Sequence, residues 1–217
     1  MGTYTRSSNN RFYRRIFLIS TEGAITEPEY FEKFESRYVH IECVREKCKS
    51  APTAVLSRLK VEIDKRKMKE GDYAWMVIDR DEWASSEIDK LKAWVNDSSQ
   101  ATSLIKGLSV SNPKFELWLL LHFEDVTSGA RSYVERLSQH LPGYDKHLDI
   151  SKFPNDAVAQ AISRAKALWG NDPTGEWPKT VGKTNVFVLC EAIKTAEEEG
   201  ISKEASLWQG TQAHAAT

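Results

Sequence analysis

At 217 residues, with 41% hydrophobic and 28% charged side chains, the chain can bury one substantial core and has the composition of an ordinary globule. Its formal net charge of −1 excludes a global positive field, so any nucleic-acid surface has to be local. Three cysteines, Cys43, Cys48 and Cys190, without a CxxC spacing point to neither a disulfide framework nor a structural zinc site.

Residues 1–13 read as a flexible basic arm. Arg6 and Arg11 within it and Arg14 and Arg15 just after it occur without an intervening acid. That pattern suits a nucleic-acid contact, with Arg14 and Arg15 as the candidates nearest the folded core, and equally suits a soluble tail. The arm is polar and has no signal-peptide core, and no apolar stretch approaches the roughly 18 residues of a membrane span. A cytoplasmic protein with no membrane partner is the expectation.

The first strand is Arg15–Thr21 (RIFLIST), and Glu22 follows it immediately. Gly23 permits the turn out of the strand. The next residues, Thr26-Glu27-Pro28-Glu29, read as a helix start: Thr26 and Glu29 form a capping box, Pro28 sits in the first turn, and Glu27 and Glu29 favour the helix dipole. Glu22 has no such local explanation. A helix is predicted over 28–37, a strand with alternating Val39, Ile41 and Cys43 over 38–45, and a helix over 52–69.

The second informative strand is predicted over 73–78 (YAWMVI), and Asp79 and Asp81 follow it. Residues two apart in extended backbone point to one face, so the two carboxylates could share a hard divalent cation. Alone, the DxD also fits a strand capped by solvated acids. Glu22 at the end of a neighbouring strand strengthens the metal reading, with Mg²⁺ as the expected cofactor and Mn²⁺ as a substitute.

A helix over Ser85–Asn96 and a strand over 103–110 come next. Strands alternating with helices argue for an α/β fold with a mostly parallel sheet flanked by helices, whose ligands bind beyond the carboxyl ends of the strands. In residues 111–123 (SNPKFELWLLLHF), Asn112 is predicted to cap a buried helix with Pro113 at its first position. Lys114 and Glu116 are the charged exceptions. Glu116 could reach the cation, pair with a basic residue at the rim, or point through the helix start to water. His122 reads as a packing residue rather than a ligand.

Beyond Glu124 the pattern predicts helices over 130–140, 155–169 and 185–199, with a loop over 170–183 and a frayed end from Gln209. Gly182-Lys183-Thr184 imitates the end of a P-loop. Trp177 stands where the first P-loop glycine belongs and no strand precedes it, so an NTPase is rejected. The resulting organisation is an arm over 1–13, an α/β core over 14–127, and a helical extension over 128–217 packing on that core.

The motifs TEGxxTEPEYF, VIDRDEW and SNPKFELWLLLHF, taken together, resemble the RloB family, whose members are regarded as Toprim-type proteins. The resemblance spans about 14–125, with a weaker echo at 184–189. It implies a Toprim-like, Rossmann-like core in which Glu22 matches the glutamate after the first strand and Asp79 and Asp81 match the Mg²⁺-holding DxD. The Asn112–Trp118 motif belongs to the RloB pattern rather than to Toprim domains generally. Ala24 and Ile25 stand where relatives often have polar residues, a departure that leaves the metal ligands intact. The family's association with bacterial restriction and anti-phage loci, often beside an ABC/AAA-type ATPase, implies a nuclease or effector subunit without implying its target; the leading expectation is a metal-dependent endonuclease that hydrolyses a DNA or RNA phosphodiester. In that reading Glu22 completes the metal site or moves a proton, and Glu116 and Lys114 are further catalytic candidates. The competing expectation is a non-cleaving module that docks on the ATPase, and self-association into a homo-oligomer is open in either case.

Overall fold

The computed structural model describes residues 13–45, 51–81, 83–98, 103–127, 132–170 and 177–215, with side-chain environments up to 207. Most of the predicted arm, Arg6 and Arg11 included, and Cys48 lie outside these residues. The element order is β1 (Arg15–Thr21), α1 (Thr26–Glu32), β2 (Val39–Val44), α2 (Pro52–Lys65), β3 (Tyr73–Asp79), α3 (Ser85–Asn96), β4 (Ile105–Asn112), α4 (Glu116–Leu120), α5 (Tyr133–His140), α6 (Asn155–Trp169), β5 (Lys183–Thr184) and α7 (Val186–Ala215). The sheet runs β2-β1-β3-β4-β5, parallel except for the short antiparallel β5. This is the Rossmann-like α/β arrangement that the alternation of patterns predicts.

Period-two alternation explains how one sheet serves two cores. Phe17 and Ile19 of β1 and Trp75 and Val77 of β3 face one layer, with α1, α4, α5, α6 and α7. Leu18 of β1 and Ala74, Met76 and Ile78 of β3 face the other, where Val55 and Leu59 of α2 and Ile88 and Leu91 of α3 pack. The described C-terminal helices therefore complete the first of these cores. Among the described residues no helix is long and apolar enough to cross a membrane.

The region after 128 is not wholly helical, because Lys183–Thr184 adds β5 to the end of β4. The helix predicted to start at 185 starts at Val186, since Asn185 is engaged with the sheet: its Oδ1 accepts the Val110 N–H at 2.5 Å and its Nδ2 donates to the Leu108 carbonyl at 3.1 Å. A side-chain amide thus continues the ladder where the strand stops. The P-loop-like Lys183 is likewise structural, donating to the Trp169 carbonyl at 3.1 Å.

α7 runs to Ala215 instead of ending near 199 or fraying at Gln209. It continues through Gly200, where the helix lies so close to Tyr38, the residue before β2, that a Cβ at this position would come within 2.6 Å of the Tyr38 Cβ. Gly200→Ala gains roughly 1 kcal/mol of helix propensity and loses about 1–3 kcal/mol to overpacking. We expect a net loss of stability, read as a lower urea midpoint; a midpoint above wild type would show that α7 yields at this contact.

Candidate active site

β1 and β3 end side by side, with Thr21 opposite Val77, and the Glu22 N–H extends the ladder by donating to the Val77 carbonyl at 2.9 Å. The chain then leaves the sheet and the Glu22 side chain turns back across the edge. Its Oε2 accepts the Asp79 backbone N–H at 3.0 Å and its Oε1 accepts Trp83 Nε1–H at 3.3 Å. Glu22 and Asp79 therefore share one carboxyl edge, each fixed by backbone rather than by a mobile stem.

Two further carboxylates join them. Glu27, the second residue of α1, is 5% exposed, and its Oε1 accepts the Gly23 N–H at 3.0 Å. The loop at Gly23 wraps so tightly round this group that a Cβ there would lie 2.1 Å from Glu27 Oε2. Burial pushes the Glu27 carboxyl up to about 7, with repulsion from Glu116 and Glu22 adding to it. Glu116, at the start of α4, accepts the Tyr144 hydroxyl at 3.3 Å. Asp79 is held well above the ordinary carboxyl range, first by burial and then by the charges of Glu27, Glu22 and Glu116, although the Phe115 N–H opposes the shift. Glu22 is raised as well, again chiefly by burial, with Asp81 adding repulsion and Arg58 opposing it.

The dipole explanation for Glu27 is thus overturned. It lies inside the cluster, while Glu29 is outside it, accepting His147 Nδ1–H at 2.7 Å and the Leu148 N–H at 2.8 Å. The predicted capping box is absent too: Ile25 is the N-cap, without a side-chain cap, and the Thr26 hydroxyl donates to the Lys146 carbonyl at 2.8 Å. Only the sequence order of α1 could have hinted at this, since Glu27 precedes Tyr30 and Phe31 by one helical turn and shares their buried side.

Asp81 departs from the period-two expectation. β3 stops at Asp79, Asp81 takes a left-handed φ of 31°, and its N–H donates to the Pro113 carbonyl at 3.0 Å. Its carboxylate faces Lys114 Nζ at 3.7 Å, with 46% and 48% of the two side chains exposed. Such a pair is worth at most about 1 kcal/mol, so Lys114 and Asp81 sit at the rim rather than in the buried group. Asn112 is not a helix cap. It ends β4, its Nδ2 donates to the Pro178 carbonyl at 3.1 Å, and α4 begins only at Glu116.

Arg14 and Arg15 stand at the amino end of β1, across the sheet from the carboxylates. Arg14 pairs with Glu35 and donates to the Val39 carbonyl at 2.8 Å, and Arg15 donates to the Glu70 carbonyl at 2.8 Å. The structure does not bring them to the acidic edge. His122 is 4% exposed, with Nε2 3.0 Å from the Tyr30 hydroxyl.

The donors are all hard oxygens, which suits Mg²⁺ or Mn²⁺, and the buried carboxylates repel one another in a way a cation would relieve. Among the described residues no group of three or more His, Cys, Asp or Glu side chains is placed to hold a metal ion. Mg²⁺ does not need such a group, because it keeps several waters and is commonly held by one or two carboxylates plus substrate phosphate. Compared with known families, residues 17–193 match the family model described as RloB-like protein. No curated protein and no solved structure matches.

Proposed function

From its place in the RloB-like protein family, to which this chain belongs, we propose that the protein is a Toprim-type, divalent-metal-dependent nuclease that hydrolyses DNA or RNA phosphodiesters. The observation that carries this reading is the gathering of Glu22, Glu27, Asp79 and Glu116 at one carboxyl edge, where burial and mutual repulsion hold Asp79 and Glu27 above the usual carboxyl range. Asp79 and Glu22 would hold Mg²⁺, with Asp81 reaching it from the rim. The ion supplies Lewis-acid polarisation of a phosphate and a nucleophilic water.

The chain's own residues do the rest. Glu22, oriented by the Asp79 N–H and the Trp83 indole, accepts or returns a proton at its Oε1 edge. Glu27 holds Gly23 and so fixes the loop that carries Glu22. Lys114 offers a rim charge to substrate phosphate, and the Tyr144 hydroxyl holds Glu116 in place. Service as the effector subunit of an anti-phage system beside an ABC/AAA-type ATPase is part of the same proposal. A non-cleaving regulatory module is the second reading, favoured by the near-neutral net charge, since an autonomous nuclease gains from a positive groove.

Incubation with DNA and tRNA substrates in Mg²⁺, Mn²⁺ or EDTA, with and without the partner ATPase, separates the two. Metal-dependent cleavage is expected, and Glu116→Gln is expected to slow it about 10–100-fold with little change in melting temperature, because the amide still accepts the Tyr144 hydroxyl. Substrate binding without cleavage in every arm would favour the regulatory module.

A further inference from the structure

Arg80 lies between Asp79 and Asp81, yet the mechanism above makes no use of it. Every other described arginine donates a side-chain hydrogen bond to protein: Arg14, Arg37, Arg45, Arg66, Arg136 and Arg164 to carboxylates, and Arg15 and Arg58 to backbone carbonyls. Among the described residues, Arg80 alone has a guanidinium that donates to none. Its contact is instead with an aromatic face, the Cζ lying 5.5 Å from the centroid of the Trp177 ring. That ring is itself anchored, 4% exposed, with Nε1 donating to Asp89 of α3 at 2.9 Å.

That distance is within cation–π range, an attraction that leaves the guanidinium N–H donors without a protein acceptor. A half-exposed guanidinium that makes no ion pair with a described carboxylate is prepared for a phosphate. The Arg80 N–H donates to the Ser111 carbonyl at 2.7 Å, so its backbone is fixed to the same sheet edge as Asp79. Consecutive Cα atoms are about 3.8 Å apart and successive side chains in extended backbone diverge. Asp79 turns toward α1 and α4, whereas Arg80 turns toward α3 and Trp177.

We propose that Arg80, held over the Trp177 ring, is a phosphate anchor that binds the nucleic-acid backbone beside the scissile position, on the α3 side of the carboxylate cluster. The inference rests on the nuclease reading and deepens it: a strand crossing the sheet edge would place one phosphate at Asp79 and Glu22 and a neighbouring one on the Arg80 fork. Arg80 would then position substrate rather than take part in chemistry.

The test is fluorescence anisotropy of labelled single-stranded DNA and RNA oligonucleotides with the full chain in Ca²⁺, across a range of salt, with a 5′-mononucleotide as competitor. Arg80→Gln is expected to weaken oligonucleotide binding about tenfold, the loss of one charge-assisted contact. It should also flatten the slope of log affinity against log salt by about 0.7, with Mg²⁺ affinity by calorimetry unchanged. Arg80→Lys, which keeps the charge without the planar fork, should retain the wild-type salt slope and lose affinity several-fold, and it serves if the glutamine variant fails to fold. Wild-type affinity and slope in the folded variants overturn the anchor while leaving metal-dependent cleavage standing. A mononucleotide that binds as tightly as the oligonucleotide overturns the assignment to a strand. A wild-type protein that binds no oligonucleotide overturns this inference and the nuclease reading together.

Discussion

Replacing Asp79 by Asn is expected to abolish Mg²⁺ binding and cut phosphodiester cleavage by about a thousandfold or more, while raising the melting temperature of the metal-free protein. The first effect follows from deleting a hard anionic ligand: metal polarisation contributes several kcal/mol to the transition state, and each 1.36 kcal/mol is a factor of ten. The second follows from the surroundings of Asp79. Burial, then Glu27, Glu22 and Glu116, disfavour its ionised form, and an amide carries no charge to be repelled while its oxygen can still accept the Phe115 N–H. Each kcal/mol of relief is about 2–4 °C in a domain of this size. Asp81→Asn should show neither effect as strongly, because Asp81 is a rim residue paired with Lys114 at 3.7 Å. Unchanged Mg²⁺ affinity by calorimetry in the Asp79→Asn, Asp81→Asn double variant would remove these residues from the metal site.

The mostly parallel sheet and the edge at which Glu22 and Asp79 meet were legible in the sequence, because they follow from strands alternating with helices and from two continuous hydrophobic strands each ending in an acid. Local rules failed where tertiary contacts outweigh them. Glu27 and Glu29 look equivalent at a helix start, and nothing within a few residues tells that Glu27 closes on Gly23 whereas Glu29 reaches His147 and Leu148, more than 100 positions away. Asn112 has the sequence of a cap but is consumed by the Pro178 carbonyl, a partner from a loop that periodicity cannot place. The same holds for the last helix, expected to end near 199, which runs on through Gly200 in close contact with Tyr38. Asp81 failed for a smaller reason: one left-handed residue after β3 breaks the period on which the same-face inference depended.

On acidification from pH 7 to 5, stability should hold or rise in the metal-free protein and fall in the Mg²⁺-saturated one. His122 Nδ1 lies 3.0 Å from the Trp118 carbonyl and 3.2 Å from that of Leu119, groups that only accept, so the proton sits on Nδ1 and Nε2 accepts from the Tyr30 hydroxyl. Burial lowers this imidazole from 6.5 to about 3, and Lys33 and Arg164 push the same way. Between those values the unfolded chain binds the proton and the folded one does not, so stability falls with falling pH by about 1.4 kcal/mol per unit, or about 2 kcal/mol from pH 6.5 to 5. Glu27 acts in the other direction. Its folded value of about 7 exceeds the ordinary 4.5, so the folded chain takes up the proton first, and acidification from pH 7 to 4.5 adds about 3 kcal/mol. Asp79 and Glu22, also raised, add to that gain. The carboxyl gain outweighs the histidine loss in the metal-free protein, whose stability should hold or rise as the pH is lowered from 7 to 5. On the proposed metal-site reading, saturating Mg²⁺ would keep Asp79 and Glu22 ionised and its charge would hold down the neighbouring Glu27, removing the gain and leaving the His122 loss and the release of metal, so that profile should fall. Urea denaturation at pH 7, 6 and 5 in EDTA and in Mg²⁺ reads both slopes, and His122→Asn should flatten the Mg²⁺ profile. A metal-free profile falling as steeply as the Mg²⁺ one would mean that the carboxylates at this edge do not repel one another as their burial and spacing require.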